Sequence, residues 1–90
     1  MSCSKQLTIL NKKGLHARAA SLFVKEAGKY TCDIFVKKDG QRVSAQSIMG
    51  LLMLGAAQNT QIEIIADGLQ EQLAIKGLSD LVNNKFFEEE

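Results

Sequence analysis

The sequence of 90 residues lacks proline entirely and has only two cysteines, Cys3 and Cys32. Two distant cysteines are too few for a disulfide scaffold or a metal site. The balance of 11 Lys+Arg against 10 Asp+Glu gives a net charge of +1, which provides no basic field for a nucleic acid. The longest apolar run, residues 48–57, contains two glycines and is too short to cross a bilayer. We therefore expect no metal, cofactor, nucleic acid or membrane as a partner.

The apolar content is sufficient for one small core. Apolar residue types make up 46% of the chain and charged types 23%, which is ordinary for a soluble globular domain. We expect a single domain over residues 1–90. The first residues contain no apolar signal segment, so we expect a cytoplasmic protein with reduced thiols.

Apolar periodicity predicts the first two elements of the fold. Leu7–Leu10 is a short apolar and β-branched run typical of a strand. Gly28 stands where a residue in the left-handed conformation would end the helix that follows. That helix is predicted from four apolar residues at positions i, i+3, i+4 and i+7: Ala20, Phe23, Val24 and Ala27.

The alternation continues through the rest of the chain. Apolar and polar residues alternate over 32–37 and predict a second strand, with Cys32 facing inward. The Asp39-Gly40 pair predicts a tight turn into a short third strand. Ser47 is expected to cap a short helix that Gly55 ends. A fourth strand and a last helix are predicted from two further sets: Ile62, Ile64 and Ala66, then Ala74, Leu78, Leu81 and Val82.

The element order β-α-β-β-α-β-α predicts an α+β domain. Alternating strands need one covered face, and a four-stranded antiparallel sheet with three helices on one side provides it. Gly77 lies inside the last helix, where we expect close packing against the sheet. The acidic end of the segment Phe86–Glu90 is expected to be a solvated terminus rather than a binding site. Cys3 is expected to lie in a flexible start.

One residue, His16, can change its charge near neutral pH as an unperturbed side chain. It directly precedes the first helix, whose unpaired amides form an anion site. Arg18 adds a permanent charge and a forked donor set suited to phosphate oxygens. These features suit reversible phosphorylation of the imidazole ring. A lone histidine at a helix start is more often a capping or loop residue, and spacing alone favours that interpretation.

The segment Gly14–Ala20, with the sequence GLHARAA, resembles the phosphohistidine signature of the HPr family, small phosphocarriers of the bacterial phosphotransferase system. The usual family pattern is Gly-Leu-His-Ala-Arg-Pro-Ala. A second block, Ser47–Gly55, is similar to the family's regulatory-serine segment, and the resemblance runs from about Lys5 to Val82. It implies an open-faced sandwich with strand order 1-4-2-3. It also implies a carrier rather than an enzyme.

By this resemblance, His16 would accept a phosphoryl group on Nδ1 from enzyme I and pass it to an enzyme IIA-type protein, with Arg18 assisting. A carrier with two successive partners is most simply a monomer. Ala19 stands where most HPr sequences have proline, which predicts a slightly looser start of the helix. That alanine, with segments 11–14 and 83–86, is more similar to the nitrogen-related branch, NPr, than to the sugar branch, which stays as the alternative.

Ser47 has two interpretations. As an N-cap, its hydroxyl accepts from the first turn and contributes ~1 kcal/mol. By resemblance it is also a candidate for phosphorylation by HPr kinase/phosphorylase, where the added charge would lie close to the surface used by partners.

The resemblance also implies an apolar docking surface on the first two helices. Ile48 and Leu52 have the spacing of a core stripe, whereas Met49 lies off it and suits a surface that must fit several partners. We expect Met49 and part of Ile48 to be exposed and Leu51 to be buried. The predicted docking surface consists of Ile48, Met49, Leu52, Ser21 and Leu22.

Two other classes of protein, a regulatory docking protein and an RNA binder, are alternatives to the phosphocarrier. A regulatory docking protein would use phosphorylation at His16 or Ser47 only as a switch, although the presence of His16 argues against control by serine alone. An RNA binder could share a similar element order, but the aromatics are few and the charge is balanced.

Overall fold

A computed structural model of the chain describes residues 2–90, and the element order predicted from periodicity is confirmed. The element bounds are β1 Ser2–Thr8, α1 Ala17–Ala27, β2 Asp33–Lys38, β3 Gln41–Ser44, α2 Ile48–Met53, β4 Gln61–Asp67, α3 Glu71–Asn83 and a short 3-10 turn at Lys85–Phe87.

The four strands form one antiparallel sheet in the order β1-β4-β2-β3, as expected. The register places Leu7 opposite Ile62 and Val36 opposite Ile64, so the apolar sides of neighbouring strands coincide. Because side chains alternate across a strand, this register collects one apolar face. The three helices cover that face, and Phe23 of α1 is fully buried there. Burying a side chain of that size contributes about 1.5–3 kcal/mol.

The first strand is longer than its apolar run suggested. It spans Ser2–Thr8 rather than Leu7–Leu10, because Ser2 to Thr8 pair in unbroken register with β4. The residues before Leu7 are mostly polar and exposed, so they give little apolar signal. Cys3 is therefore part of the sheet, and the expectation of a flexible start is wrong. Its Sγ donates to Glu71 Oε2 at 3.0 Å.

The predicted hairpin turn is present. Asp39 and Gly40 have φ angles of 50° and 82°, the left-handed conformations of a type I′ turn. The expectation for Gly28 is wrong, because its φ of −66° is right-handed. Instead, α1 ends through tighter bonds in which Lys29 N donates to Glu26 O and Tyr30 N to Ala27 O. Such i→i−3 bonds satisfy the last carbonyls without a left-handed residue.

Gly77 has the close packing expected, but its neighbour is not the sheet. A Cβ at Gly77 would lie 2.0 Å from the hydroxyl of Tyr30 and 2.7 Å from Oε2 of Glu26. The Tyr30 hydroxyl donates to that Glu26 oxygen at 2.7 Å, and this hydrogen bond is the main reason that the pKa of Tyr30 rises to about 12. The absent side chain in α3 thus admits a tyrosine that packs against the core.

Within residues 2–90, no helix combines the length and the apolar character needed to span a bilayer.

Candidate functional site

His16 is the residue that precedes α1. Its backbone is extended, with φ −83° and ψ −177°, and its carbonyl accepts the first helical hydrogen bond, from Ala20 N at 2.8 Å. The side chain makes no capping bond to the helix, so the capping role that spacing alone favoured is not found. The side chain is 27% exposed. The first-turn amides therefore stay available to an anion beside a ring that solvent reaches.

The loop that carries His16 is held in place by the backbone of Ala56, which follows α2. Gly14 has a φ of +66°, and a Cβ there would lie 2.5 Å from the carbonyl oxygen of Ala56. The same carbonyl accepts from Leu15 N at 2.9 Å, and the Leu15 side chain is buried. Only glycine fits this approach, because any side chain would meet backbone at a conformation that L residues avoid. The segment after α2 thus sets the position of His16.

The C-terminal tail meets this ring, and the expectation that it is merely solvated is wrong. Oε2 of Glu88 contacts Nε2 of His16, and Oε1 of Glu88 accepts from Asn11 Nδ2 at 2.9 Å. The Glu88 side chain is only 8% exposed. Burial alone would raise its pKa, but the bonds from Asn11 and His16 and the nearby charges of His16 and Arg18 outweigh it, so the pKa lies below its ordinary value.

One buried aromatic residue, Phe86, anchors the tail in this position, whereas Phe87 is exposed. Phe86 is fully buried, and Lys85, Phe86 and Phe87 all have φ angles between 54° and 59°. Left-handed conformations are rare for bulky residues and persist only when their surroundings fix them. The sequence signal was the Phe86-Phe87 pair directly before the acidic residues. Periodicity did not use it, because two residues are too few to show a period.

Arg18 lies two residues after His16 and lines a small cavity together with Glu88, the residue that contacts the ring. The cavity has a volume of about 150 Å³, and cations and carboxylates line it together: Lys12, Lys13, Arg18, Glu88, Glu89 and Glu90. Glu90 Oε2 accepts from the backbone amide of Lys12 at 2.9 Å. Arg18 is exposed, and its guanidinium forms no ion pair within residues 2–90. It therefore remains available to bind an anion.

Ser47 makes the capping bond that the sequence predicted. Its Oγ accepts from Gly50 N at 2.9 Å. Gly50 has no room for a large side chain, since a Cβ would lie 3.1 Å from both Ser47 Oγ and Val43 Cβ. The hydroxyl therefore stabilises the start of α2.

The predicted exposure of α2 is confirmed. Met49 is 67% exposed and Ile48 40%, whereas Leu51 is fully buried. Leu52 and Leu22 are partly buried and Ser21 is exposed. The helices that carry these side chains, α1 and α2, pack against each other. Met53, which was not among the residues of the predicted docking surface, is 74% exposed.

A family model and a curated relative both match this chain to HPr proteins. A family model described as "PTS HPr component phosphorylation site" matches residues 3–84. The phosphocarrier protein HPr of Neisseria meningitidis serogroup A is 44% identical over 86 residues, covering 96% of this chain and 97% of that protein.

Solved structures give the same picture. The crystal structure of HPr-C-His from Thermoanaerobacter tengcongensis matches with a TM-score of 0.93 and 45% identity, covering 98% of this chain and 99% of that one. An HPr dimer from the same organism matches with a TM-score of 0.77 and 48% identity, covering 91% and 94% of the two chains.

Proposed function

The chain belongs to the HPr family, the phosphocarriers of the phosphotransferase system, and on that premise we propose that His16 is the residue that carries the phosphoryl group. The observation that supports this most is the ring itself. It stands at the amino end of α1, solvent reaches it, and it makes no capping bond. As an HPr-type carrier, the protein is not an enzyme.

The proposed transfer uses the lone pair on Nδ1. Nδ1 attacks the phosphorus of phosphorylated enzyme I, a new N–P bond forms, and the bond between phosphorus and enzyme I breaks. The ring keeps its proton on Nε2, and the phosphoryl oxygens face the first-turn amides of α1 and Arg18. Each such contact contributes on the order of 1 kcal/mol at a solvated site. Because these contacts bind the phosphoryl group only weakly, the group can leave again.

Incubation with phosphoenolpyruvate and enzyme I tests the proposal. We expect a gain of one acid-labile phosphate, located at His16 by mass spectrometry, and none in His16→Ala. A phosphate that appears in His16→Ala, or no incorporation in the unchanged chain, would contradict it.

We further propose that the acceptor is an enzyme IIA-type protein of the nitrogen-related branch, with a sugar-branch acceptor as the alternative. Ala19, in place of the usual proline, supports this and is fully buried at the start of α1. Transfer from the phosphorylated protein to a nitrogen-type and to a sugar-type enzyme IIA can be compared directly. Faster transfer to the sugar-type protein would assign the chain to the other branch.

The proposed carrier acts in the cytoplasm as a monomer. The proposed docking surface and the His16 ring both belong to a single chain, which supports the monomer. The solved HPr dimer makes the alternative concrete. Light scattering at several concentrations distinguishes them, and a concentration-independent dimer mass would contradict the monomer.

A second function, regulation by docking, is favoured by the position of Ser47. Phosphorylation there by HPr kinase/phosphorylase would put charge directly before the exposed Ile48 and Met49. Pull-downs with the unmodified, His-phosphorylated and Ser-phosphorylated forms test it. Equal binding of all three forms to the same partners would contradict a switch.

A further inference from the structure

We propose that Glu88 is a positioning residue for phosphoryl transfer: it holds the proton of His16 on Nε2, which leaves Nδ1 as the nucleophilic nitrogen, and Asn11 holds Glu88 in place. This inference rests on the proposed function, in which Nδ1 of His16 receives the phosphoryl group. It concerns residues beyond 84, where the match to the family model ends.

The assignment follows from what each group can donate. A carboxylate only accepts hydrogen bonds, and a neutral imidazole carries one proton on one of its two nitrogens. Nε2 of His16 contacts Oε2 of Glu88, so Nε2 is the nitrogen that carries the proton. The lone pair of the neutral ring is then on Nδ1. The pKa of Glu88 lies below its ordinary value, so the carboxyl is ionised near neutral pH and can only accept a hydrogen bond from the ring.

Asn11 fixes the carboxylate through a chemically unambiguous arrangement. Its side chain is fully buried, and Nδ2 donates both to Gly14 O at 2.8 Å and to Glu88 Oε1 at 2.9 Å. Both partners accept, so the amide nitrogen must face them. Within residues 2–90, Oδ1 of Asn11 has no hydrogen-bond partner in the structure.

The carboxylate also matches the charge that appears during the reaction. When the neutral ring attacks phosphorus through Nδ1 while Nε2 keeps its proton, the ring becomes positively charged. Glu88 faces that proton and stabilises the charge without moving. In the reverse direction, the protonated ring is the better leaving group as the N–P bond breaks. One contact thus supports both directions, as a carrier requires.

The tail is built to place Glu88. The left-handed turn at Lys85–Phe87 reverses the chain after α3, and the buried Phe86 anchors it in the core. A further bond from Lys12 N to Glu90 Oε2 at 2.9 Å holds the last residue over the loop before His16. Glu89, between them, exposes its side chain and makes no such bond within residues 2–90.

Glu89 therefore provides the matched control. Glu88→Gln and Glu89→Gln each remove one negative charge from adjacent positions, but only the first removes the acceptor of Nε2–H. A glutamine at 88 has one oxygen for two donors, Asn11 Nδ2 and His16 Nε2, and its own amide group would face one of them. Glu88→Asp keeps the charge and tests for partial rescue.

The first measurement is ¹⁵N NMR of the His16 ring in the full chain, at a pH where the ring is neutral. We expect Nε2 to resonate as the protonated nitrogen in the unchanged protein and in Glu89→Gln. In Glu88→Gln we expect the ¹⁵N chemical shifts of both ring nitrogens to approach the average of the two tautomers. Circular dichroism and melting of each variant show that the fold is retained. Identical ring shifts in Glu88→Gln and Glu89→Gln would overturn the proposal.

The second measurement is the rate of phosphoryl transfer from phosphorylated enzyme I. We expect Glu88→Gln to be roughly 10- to 100-fold slower, Glu88→Asp to recover part of the rate, and Glu89→Gln to stay within about twofold. A faster Glu88→Gln would show that the tail obstructs the site and would overturn the proposal. If no variant takes up phosphate, the proposed function fails, while the ring shifts still decide the role of Glu88.

Discussion

Two helices in this small domain begin in different ways, and the difference separates stability from chemistry. At the start of α2, the hydroxyl of Ser47 accepts a hydrogen bond from the backbone amide of Gly50. At the start of α1, His16 gives its helix only a backbone carbonyl, and its ring contacts Glu88 of the tail instead. The first arrangement satisfies the helix from within. The second leaves the amides of the first turn available and keeps a nucleophile beside them.

Removing the ring at the first of these two starts should give the largest effect. In His16→Ala we expect complete loss of phosphate uptake from enzyme I. The free energy of unfolding should fall by no more than about 1 kcal/mol, because the side chain makes no capping bond and its loss removes only the contact with Glu88. Radiolabelled uptake and urea denaturation measure the two quantities. A large loss of stability would mean that the two helix starts are more alike than their geometry indicates.

Arg18→Ala sharpens the comparison by leaving the ring and removing its neighbour. We expect phosphoryl transfer to slow by about tenfold, because a guanidinium next to the developing charge is lost. Folding should be retained, since alanine is the stronger helix former in α1. Stopped-flow transfer rates and thermal melting provide the test. A collapse in melting temperature with an unchanged rate would show that Arg18 serves the fold.

Ser47→Ala breaks the second helix start. We expect a loss of ~1 kcal/mol in the free energy of unfolding, because the amide of Gly50 loses its acceptor. Uptake of phosphate at His16 should stay within about twofold, since no capping bond links the two sites. Denaturation curves measure the free energy of unfolding, and the uptake assay measures phosphorylation of His16. A slowed uptake in this variant would show that α2 also controls the site of His16.

The smallest expected effect is the pH dependence of the contact between Glu88 and His16. The pKa of Glu88 in the folded chain lies below its ordinary 4.5, so the ionised carboxyl stabilises the fold above that value. This stabilisation is lost as the pH falls through the lower, folded-state pKa. The melting-temperature difference between the unchanged chain and Glu88→Gln should therefore narrow below about pH 4.5. A constant difference across that range would contradict a functional bond to the ionised group.

Sequence reasoning found the parts of the site that act locally. His16, Arg18 and Ser47 lie at helix starts that periodicity locates within a few residues, and their relation to those helices depends on adjacent backbone. The assignment of the acidic tail was wrong because the contact joins positions 16 and 88, which are 72 residues apart. A run of glutamates at a chain end is typically solvated, and nothing within the run itself indicates otherwise.

The edge strand shows the same limit. The apolar run Leu7–Leu10 identified Leu7 but not the polar residues before it, and only the register with β4 extends β1 back to Ser2. For Gly28, the composition predicted a left-handed end, whereas the chain continues right-handed toward Tyr30. Tyr30 in turn packs where Gly77 of α3 has no side chain. Each of these outcomes depends on an element distant in sequence.

The sequence by itself determined the order of strands and helices, the buried faces and the two helix starts, because side-chain period, turn residues and capping groups act over a few neighbouring residues. Only the tertiary structure decided that Asn11, His16 and Glu88 form one hydrogen-bonded chain. That chain exists because the core buries Phe86 and fixes a turn that no local preference favours. Contacts of this kind depend on where the whole fold places two ends of the polypeptide, and no local pattern contains that information.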